Sequence, residues 1–170
     1  ALAKKSVALN HLESQIQIIE RDMKEFYRDV ESNSFDIITV NPPFFKYHHK
    51  DFLNEQSPQT ISRHEVKIDL EGLIQTTKRL LSTGGSLNMI HRANRLDEIV
   101  QTLMNHHLIL KRLRFVYTKK HKPATMVLIE ARMNGNVGHI SIEEPLYVYD
   151  ESHEYTKEVL QIFHLGDEQY

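Results

Sequence analysis

The chain has 170 residues, of which 40% are hydrophobic and 26% are charged, a composition typical of one globular domain with its own core. It contains no cysteine, which excludes a disulfide scaffold and thiolate metal ligands and fits a reducing compartment without proving one, and its apolar runs are too short to cross a bilayer. The net charge of −2 hides an asymmetry, because six of the 21 basic residues and no acidic residue lie within residues 111–122.

The first part of the chain alternates between helical and strand patterns. Apolar residues spaced by four predict a helix over residues 1–13. Residues 15–19 are predicted to form a short strand, and the polar residues 23–34 a connection that ends in a turn. The β-branched run over residues 35–40 is typical of a strand buried on both faces.

The second part continues the alternation. After a long irregular loop over residues 44–63, the predicted elements are a helix over 64–82 that ends at Gly84-Gly85, a strand over 87–90, a helix that begins near Leu96, two antiparallel strands over 108–117 and 126–131, and a short helix over 156–163. This order predicts an α/β fold in which a mainly parallel sheet carries an antiparallel hairpin at its edge.

One short motif indicates chemistry. Asn41-Pro42-Pro43-Phe44 directly follows the strand over residues 35–40, at the carboxyl end where open α/β sheets bind ligands. The prolines stiffen the turn, so that the Asn41 amide and the Pro42 carbonyl can accept hydrogen bonds in fixed directions, while Phe44 offers a flat face for stacking. This arrangement suits a planar amine. The structural alternative is a proline-terminated strand followed by an Asn turn and a core Phe.

The basic segment also has two interpretations. A cluster of basic residues on an otherwise acidic chain is typical of a protein that binds a polyanion. The alternative is a solvated strand edge on which lysines prevent edge-to-edge pairing. Tyr147, Tyr149 and Tyr155 likewise could stack on bases or simply pack. The histidine pairs His48-His49 and His106-His107 fit no metal-ligand spacing, so no metal is expected.

Asn41-Pro42-Pro43-Phe44 resembles the NPP[YF] motif of S-adenosylmethionine-dependent methyltransferases that act on planar nitrogen. Further segments resemble the bacterial tRNA (adenine-N6)-methyltransferases that modify a valine tRNA, and the similarity covers nearly the whole chain. These segments are Arg63-His64-Glu65, Gly84-Gly85, Pro145-Leu146-Tyr147-Val148-Tyr149 and Tyr155-Thr156-Lys157-Glu158-Val159.

This resemblance implies a Rossmann-like class I methyltransferase fold, S-adenosylmethionine as cofactor, tRNA as partner and a cytoplasmic location. It implies Asn41, Pro42, Pro43 and Phe44 as the catalytic corner and Asp22, Met23 and Asn41 as cofactor contacts. The residues implied to contact tRNA phosphates are Lys46, Arg63, Lys111, Arg112, Arg114, Lys119, Lys120 and Lys122.

The sequence departs from the family in one respect: it contains no glycine-rich loop of the GxGxG type after a first strand, and no second strand ending in an acid. Residues 1–170 are therefore expected to be the C-terminal portion of a single methyltransferase domain, inactive alone and poor at binding S-adenosylmethionine. Without central strands, the sheet would expose apolar edges, which a longer chain or a second copy in a homodimer would cover.

Two other functions stay open. The same motif occurs in methyltransferases of other planar nitrogens, namely ribosomal guanine-N2 and release-factor glutamine. A non-catalytic RNA-binding module that uses the basic segment is the second alternative. No Ser–His–Asp arrangement is evident, so a hydrolase is not supported.

Overall fold

The computed structural model describes residues 2–42 and 70–163. The helices are α1 (Leu2–Leu9), α2 (Met23–Asp29), α3 (Leu70–Leu80), α4 (Leu96–Asn105) and α5 (Lys157–Ile162), with a 3-10 turn at Ala93–Arg95. The strands are β1 (Phe35–Val40), β2 (Leu81–Arg92), β3 (Leu108–Tyr117), β4 (Ala124–Met133), β5 (Ser141–Ile142) and β6 (Leu146–Tyr147).

These strands form one mixed sheet in the order β1-β2-β4-β3, with β5 and β6 both on the outer edge of β3. β1 runs parallel to β2, and β5 and β6 run parallel to β3. β4 is antiparallel to both of its neighbours, β2 and β3. The predicted fold class, a parallel α/β sheet with an antiparallel hairpin, is confirmed.

The main core lies between one face of this sheet and the helices α3 and α4. Ile74 of α3 and Ile99 and Leu103 of α4 are fully buried and belong to the same cluster as Leu87 and Ile129 of the sheet. The helices predicted on these segments are confirmed, and their residues spaced by three and four are those that the core takes up. A second, smaller core joins α5 to the outer strands through Val116, Leu146 and Val159.

The prediction that β1 is buried on both faces is wrong. Ile38 and Val40 pack against the main core, but Ile37 is 65% exposed and Phe35 is 37% exposed. β1 is an edge strand in the part of the chain that the structure describes, with a layer of helices on one face only. A β-branched run records strand propensity, whereas burial of the second face requires a covering layer.

The strand predicted over residues 15–19 is also wrong. Gln15 and Ile16 donate backbone hydrogen bonds to Leu12, as in a helical turn, and Ile16 and Ile19 stay exposed. A strand needs a neighbour to pair with its backbone groups, and within residues 2–42 and 70–163 this segment pairs with none. The segment over 23–34, predicted as a polar connection, instead contains α2, whose first amides donate to the Asp22 carbonyl.

Gly84 and Gly85 do not end the preceding helix as predicted. α3 ends at Leu80 and β2 begins at Leu81, so that both glycines lie inside the strand, where the register with β1 shifts. Gly84 has a φ of +81°, and a Cβ on Gly85 would lie 2.9 Å from the Ser82 carbonyl oxygen. The pair therefore forms a bulge at which a side chain would strain the backbone at Gly84 and collide with a carbonyl at Gly85.

Three further predictions agree with the structure within its described residues. The helix over 64–82 appears as α3, the antiparallel pair as β3 and β4, and the last helix as α5, which Thr156 caps by accepting from the Val159 amide. The loop predicted over 44–63 lies outside the described residues. No helix in the described ranges combines the length and the apolar character of a membrane span.

Candidate functional site

The proline corner lies where the sequence predicts it, at the carboxyl end of β1. Val40 pairs with Met89 of β2, and the two following residues leave the ladder. Asn41 is exposed, whereas Pro42 is buried. Pro42 therefore anchors the corner to the protein while the Asn41 side chain remains accessible. Pro43 and Phe44, the other two residues predicted for the catalytic corner, lie outside the described residues.

A cleft of about 590 Å³ opens beside Asn41. Because strand side chains alternate between faces, Thr39 lies on the face opposite the core-facing Ile38 and Val40. The cleft thus follows the sheet face that α3 and α4 leave uncovered. We call it the corner cleft; its lining residues are Thr39, Val40, Asn41, Asn88, Met89, Ile90, Arg112, Arg114, Leu128, Ile129, Glu130 and Glu143.

The charged groups of the corner cleft are paired with one another. The largely buried Glu130 carboxylate lies 3.2 Å from Arg112 Nη2 and 3.2 Å from Arg132 Nε. Arg114 lies 2.6 Å from the Glu158 carboxylate and donates to the Glu144 carbonyl. Ion pairs therefore hold both arginines of the cleft wall against the sheet.

The six basic residues of the segment over 111–122 consequently fall into two groups. Lys111 donates to the carbonyls of Asn136 and Gly138, and the two arginines are paired as described. The other three, Lys119, Lys120 and Lys122, lie at the tip of the β3–β4 hairpin, and neither ion pairs nor side-chain hydrogen bonds are seen for them among the described residues. The segment is extended along a strand rather than gathered into one compact patch.

Of the three predicted cofactor contacts, Asn41 lines the corner cleft and Asp22 and Met23 do not. Asp22 is exposed, its carbonyl accepts the amides of Glu25 and Phe26 at the start of α2, and it is not among the residues that line the corner cleft. Met23 is the first residue of α2. The predicted phosphate contacts Lys46 and Arg63 lie outside the described residues.

A histidine that sequence reasoning did not select lies close to the corner. His91 is 1% exposed, near the carboxyl end of β2, and its Nδ1 accepts the Arg92 amide at 2.8 Å. Burial, with the nearby Arg95 guanidinium, lowers the pKa of His91 from its ordinary value. Met89, two residues before His91, pairs with Val40, the residue that directly precedes the corner. The alternation Leu87, Met89, His91 would have indicated its inward orientation.

The histidine and carboxylate side chains of the described residues are spread over the fold. Within residues 2–42 and 70–163, no three histidine or carboxylate side chains come together in a group that could hold a metal ion. His106, one of the histidines considered as a ligand, instead lies 2.5 Å from the Glu71 carboxylate and joins α4 to α3.

The fold is that of the Rossmann-like methyltransferases. A predicted O-methyltransferase from Agrobacterium tumefaciens superposes with a TM-score of 0.64 over 95% of this chain and 70% of its own, at 16% identity. A modification subunit of a putative type I restriction enzyme from Vibrio vulnificus superposes with a TM-score of 0.58 over 96% of this chain and 37% of its own, at 14% identity. No family model matches the chain.

Sequence similarity points to a narrower group, as the motif resemblance predicted. The chain is similar to curated proteins named tRNA1(Val) (adenine(37)-N6)-methyltransferase. It is 36% identical to that of Porphyromonas gingivalis over 98 residues, which cover 58% of this chain and 37% of the relative. It is 27% identical to that of Bacteroides thetaiotaomicron over 161 residues, covering 94% and 64%. The chain thus spans roughly one third to two thirds of these relatives' lengths.

Proposed function

We propose that the protein transfers a methyl group to the exocyclic N6 amine of an adenine in tRNA. The names of its relatives specify the adenine at position 37. The observation that carries this proposal is the proline corner: an exposed Asn41 beside a buried Pro42, at the carboxyl end of β1, with a cleft in front of the amide. Ligands bind at this edge in open α/β sheets.

The chemistry follows from the weak nucleophilicity of the amine. The lone pair of an adenine amine is delocalised into the ring, so the nitrogen must become pyramidal before it can attack. The Asn41 amide oxygen and the Pro42 carbonyl can accept hydrogen bonds from the two N–H groups of the amine and so favour the pyramidal geometry. Fixed acceptors of this kind stabilise charge as it develops, an effect of several kcal/mol. A strong base is unnecessary, because the nitrogen becomes acidic once it is alkylated.

S-adenosylmethionine, as the cofactor, would supply an electrophilic methyl group on a sulfonium. Of the residues in this chain, Asn41 fits a contact to it, because its exposed amide borders the corner cleft. The resemblance also assigns Asp22 and Met23 to the cofactor, and this role requires the segment that leads into α2 to lie near the corner. The sequence contains no glycine-rich loop of the GxGxG type. Residues 1–170 therefore supply only part of an S-adenosylmethionine site.

Replacement of Asn41 tests the catalytic role. In the intact protein, Asn41→Ala should lower kcat for methyl transfer to unmodified tRNA by about 100-fold or more, because it removes an acceptor that acts in the transition state. Asn41→Asp retains an acceptor oxygen and should keep more activity. The matched control is Asn105→Ala, at the exposed end of α4. Transfer of labelled methyl groups at the normal rate by Asn41→Ala would refute the assignment.

The nature of the acceptor is tested separately. Mass spectrometry of tRNA nucleosides from a strain that lacks the protein should reveal loss of N6-methyladenosine. Loss of N2-methylguanosine from ribosomal RNA, or of methylglutamine from a release factor, would instead identify one of the other planar nitrogens.

The partners and location follow as further proposals. tRNA would be the macromolecular substrate, and a tRNA-modifying enzyme would work in the cytoplasm. The unpaired backbone edge of β1 would be paired in the intact protein with further strands of the same chain or with a second copy. Light scattering of the purified intact protein distinguishes a monomer from a homodimer.

A further inference from the structure

A second cleft lies at the far end of the sheet, between the tip of the β3–β4 hairpin and the segment that follows β6. Its volume is about 650 Å³. We call it the hairpin cleft. Its lining residues are Lys119, Lys120, His121, Tyr147, Tyr149, Asp150, Glu151, Ser152 and Thr156. Most of these residues have no part in the function proposed above.

Backbone hydrogen bonds fix the wall of this cleft. The amides of Val148 and Tyr149 donate to the carbonyls of Tyr117 and Thr118 at 2.9 and 3.0 Å, which continues the pairing of β6 with β3. The Thr156 hydroxyl donates to the Tyr147 carbonyl at 2.7 Å. The backbone of this wall is therefore held in place before a ligand binds, which lowers the ordering entropy that binding costs.

The aromatic rings of this region are stacked on one another and partly open. Tyr149 stacks on Tyr155 with ring centroids 5.1 Å apart and planes inclined by 14°, and Tyr155 meets the edge of Phe163 at 6.0 Å. Tyr155 is 40% exposed and Phe163 is 55% exposed. Tyr149, which lines the cleft, thus presents an aromatic surface whose other side Tyr155 supports.

The charges of the hairpin cleft differ from those of the corner cleft. No ion pair among the described residues involves Lys119 or Lys120. Asp150 uses Oδ1 to accept the amides of Ser152 and Glu154 at 2.8 and 3.1 Å, which shapes its own turn. Glu151 is the remaining acid of the rim and is exposed. Two cations beside an aromatic ring are the elements with which proteins bind single-stranded nucleic acid.

The corner and the hairpin tip lie at the same end of the strands, although at opposite edges of the sheet. β1 ends at Val40, and the hairpin tip follows the end of β3 at Tyr117, which pairs in parallel with Tyr147. Met126, just after the tip, pairs with Arg92 at the end of β2. From β1 to β6 there are four strand spacings, or about 19 Å. A few nucleotides of an extended chain span that distance.

We propose that the hairpin cleft binds an unpaired nucleotide of the RNA substrate outside the target position, with its base stacked on Tyr149 and its phosphate near Lys119 and Lys120. Tyr155 is a positioning residue that supports the Tyr149 ring. This inference rests on the proposed function for the identity of the RNA, but binding can be measured without methyl transfer, so the two can fail separately.

The test measures anisotropy of a fluorescein-labelled, unmodified tRNA transcript bound to the intact protein at several salt concentrations. Tyr149→Leu should weaken binding about tenfold without changing the salt dependence, because stacking is lost and charge is not. Tyr149→Phe should bind normally. Lys119→Gln combined with Lys120→Gln should lower the slope of log Kd against log salt by about 0.7, the value for one phosphate contact of a single strand. Lys5→Gln, on the exposed face of α1, is the matched control.

Three results would overturn the proposal: normal binding by Tyr149→Leu, equal weakening by Tyr149→Leu and Tyr149→Phe, or an unchanged salt slope for the double lysine variant. Should thermal melting reveal that Tyr149→Leu is unfolded, Glu151→Gln decides in its place. Removing that rim carboxylate should strengthen binding at low salt, and unchanged affinity would contradict a phosphate at this position. The two proposals can fail separately. If the hairpin-cleft variants lose RNA binding while Asn41→Ala keeps full methyl transfer, this proposal stands and the proposed function is refuted.

Discussion

The two clefts differ in how their cations are held. In the corner cleft, Arg112 and Arg114 are paired with carboxylates that the sheet and α5 supply, so part of their charge is compensated. At the hairpin tip, Lys119 and Lys120 have no carboxylate partner among the described residues. The backbone beside them is held by hydrogen bonds to the segment after β6. Basic residues that are continuous in sequence thus serve as structural pairs in one place and as available charge in the other.

The clefts also rest on different cores. The corner cleft is lined by Val40, Met89 and Ile129 of the main core, with Leu128 packed against the small cluster of Val116, Leu146 and Val159, whereas the hairpin cleft adjoins that small cluster alone through the segment around Leu146. A large core fixes an edge more firmly than a small one, since the free energy of local opening grows with the buried apolar contacts. The comparison predicts that the free energy of local opening is higher at the corner than at the wall of the hairpin cleft.

Core truncations should give the largest effect on stability. Ile129→Ala, in the main core beneath the corner cleft, should lower the free energy of unfolding by about 2–5 kcal/mol, because the surrounding side chains cannot collapse into the space. Leu146→Ala, in the small core, should lie at the low end of that range and affect mainly the hairpin wall. Urea unfolding gives the totals, and hydrogen exchange locates the loss. Equal loss of protection at both clefts in Leu146→Ala would break the comparison.

The next largest effect should be a pH dependence of stability that originates at His91. His91 has a folded-state pKa below the value of an unfolded chain, because burial and Arg95 disfavour the charged ring. The unfolded state therefore binds the proton first, so the contribution is fully present above about pH 6.5 and is lost as the pH falls below it. The melting temperature should drop between about pH 6.5 and pH 5. His91→Asn should flatten this drop, and an unchanged profile would exclude His91 as its source.

The smallest effect is expected from the ion pairs. Glu130→Gln removes the carboxylate that Arg112 and Arg132 share; since both guanidinium groups are more than half exposed, solvent screens the pairs and the loss should be about 0.2–1 kcal/mol. Arg112 would then resemble the hairpin lysines, and tRNA binding at low salt should strengthen slightly. Glu158→Gln, which frees Arg114, is the parallel measurement. Weaker tRNA binding in both variants would show that the pairs themselves shape the RNA surface.

Local patterns were sufficient for the elements whose periodicity matches their packing. The apolar stripes of α3 and α4, the antiparallel β3 and β4, and the abrupt end of β1 at Asn41-Pro42 were all predicted because spacing and proline chemistry act over a few residues. The exposed Asn41 beside a cleft also agrees with the prediction that the motif faces a ligand site. Its role in methyl transfer remains a proposal.

What the sequence determined by itself is therefore local: where helices and strands start and stop, and which short motif carries chemistry. Only the tertiary structure decided that β1 lies at an edge, that Gly84 and Gly85 form a bulge inside β2, that residues 15–19 form no strand, and that the basic segment divides into paired and unpaired groups. The physical reason is the same in each case. Strand pairing, burial of a second face and ion pairing depend on partners distant in sequence, and no local pattern specifies which partners the fold provides.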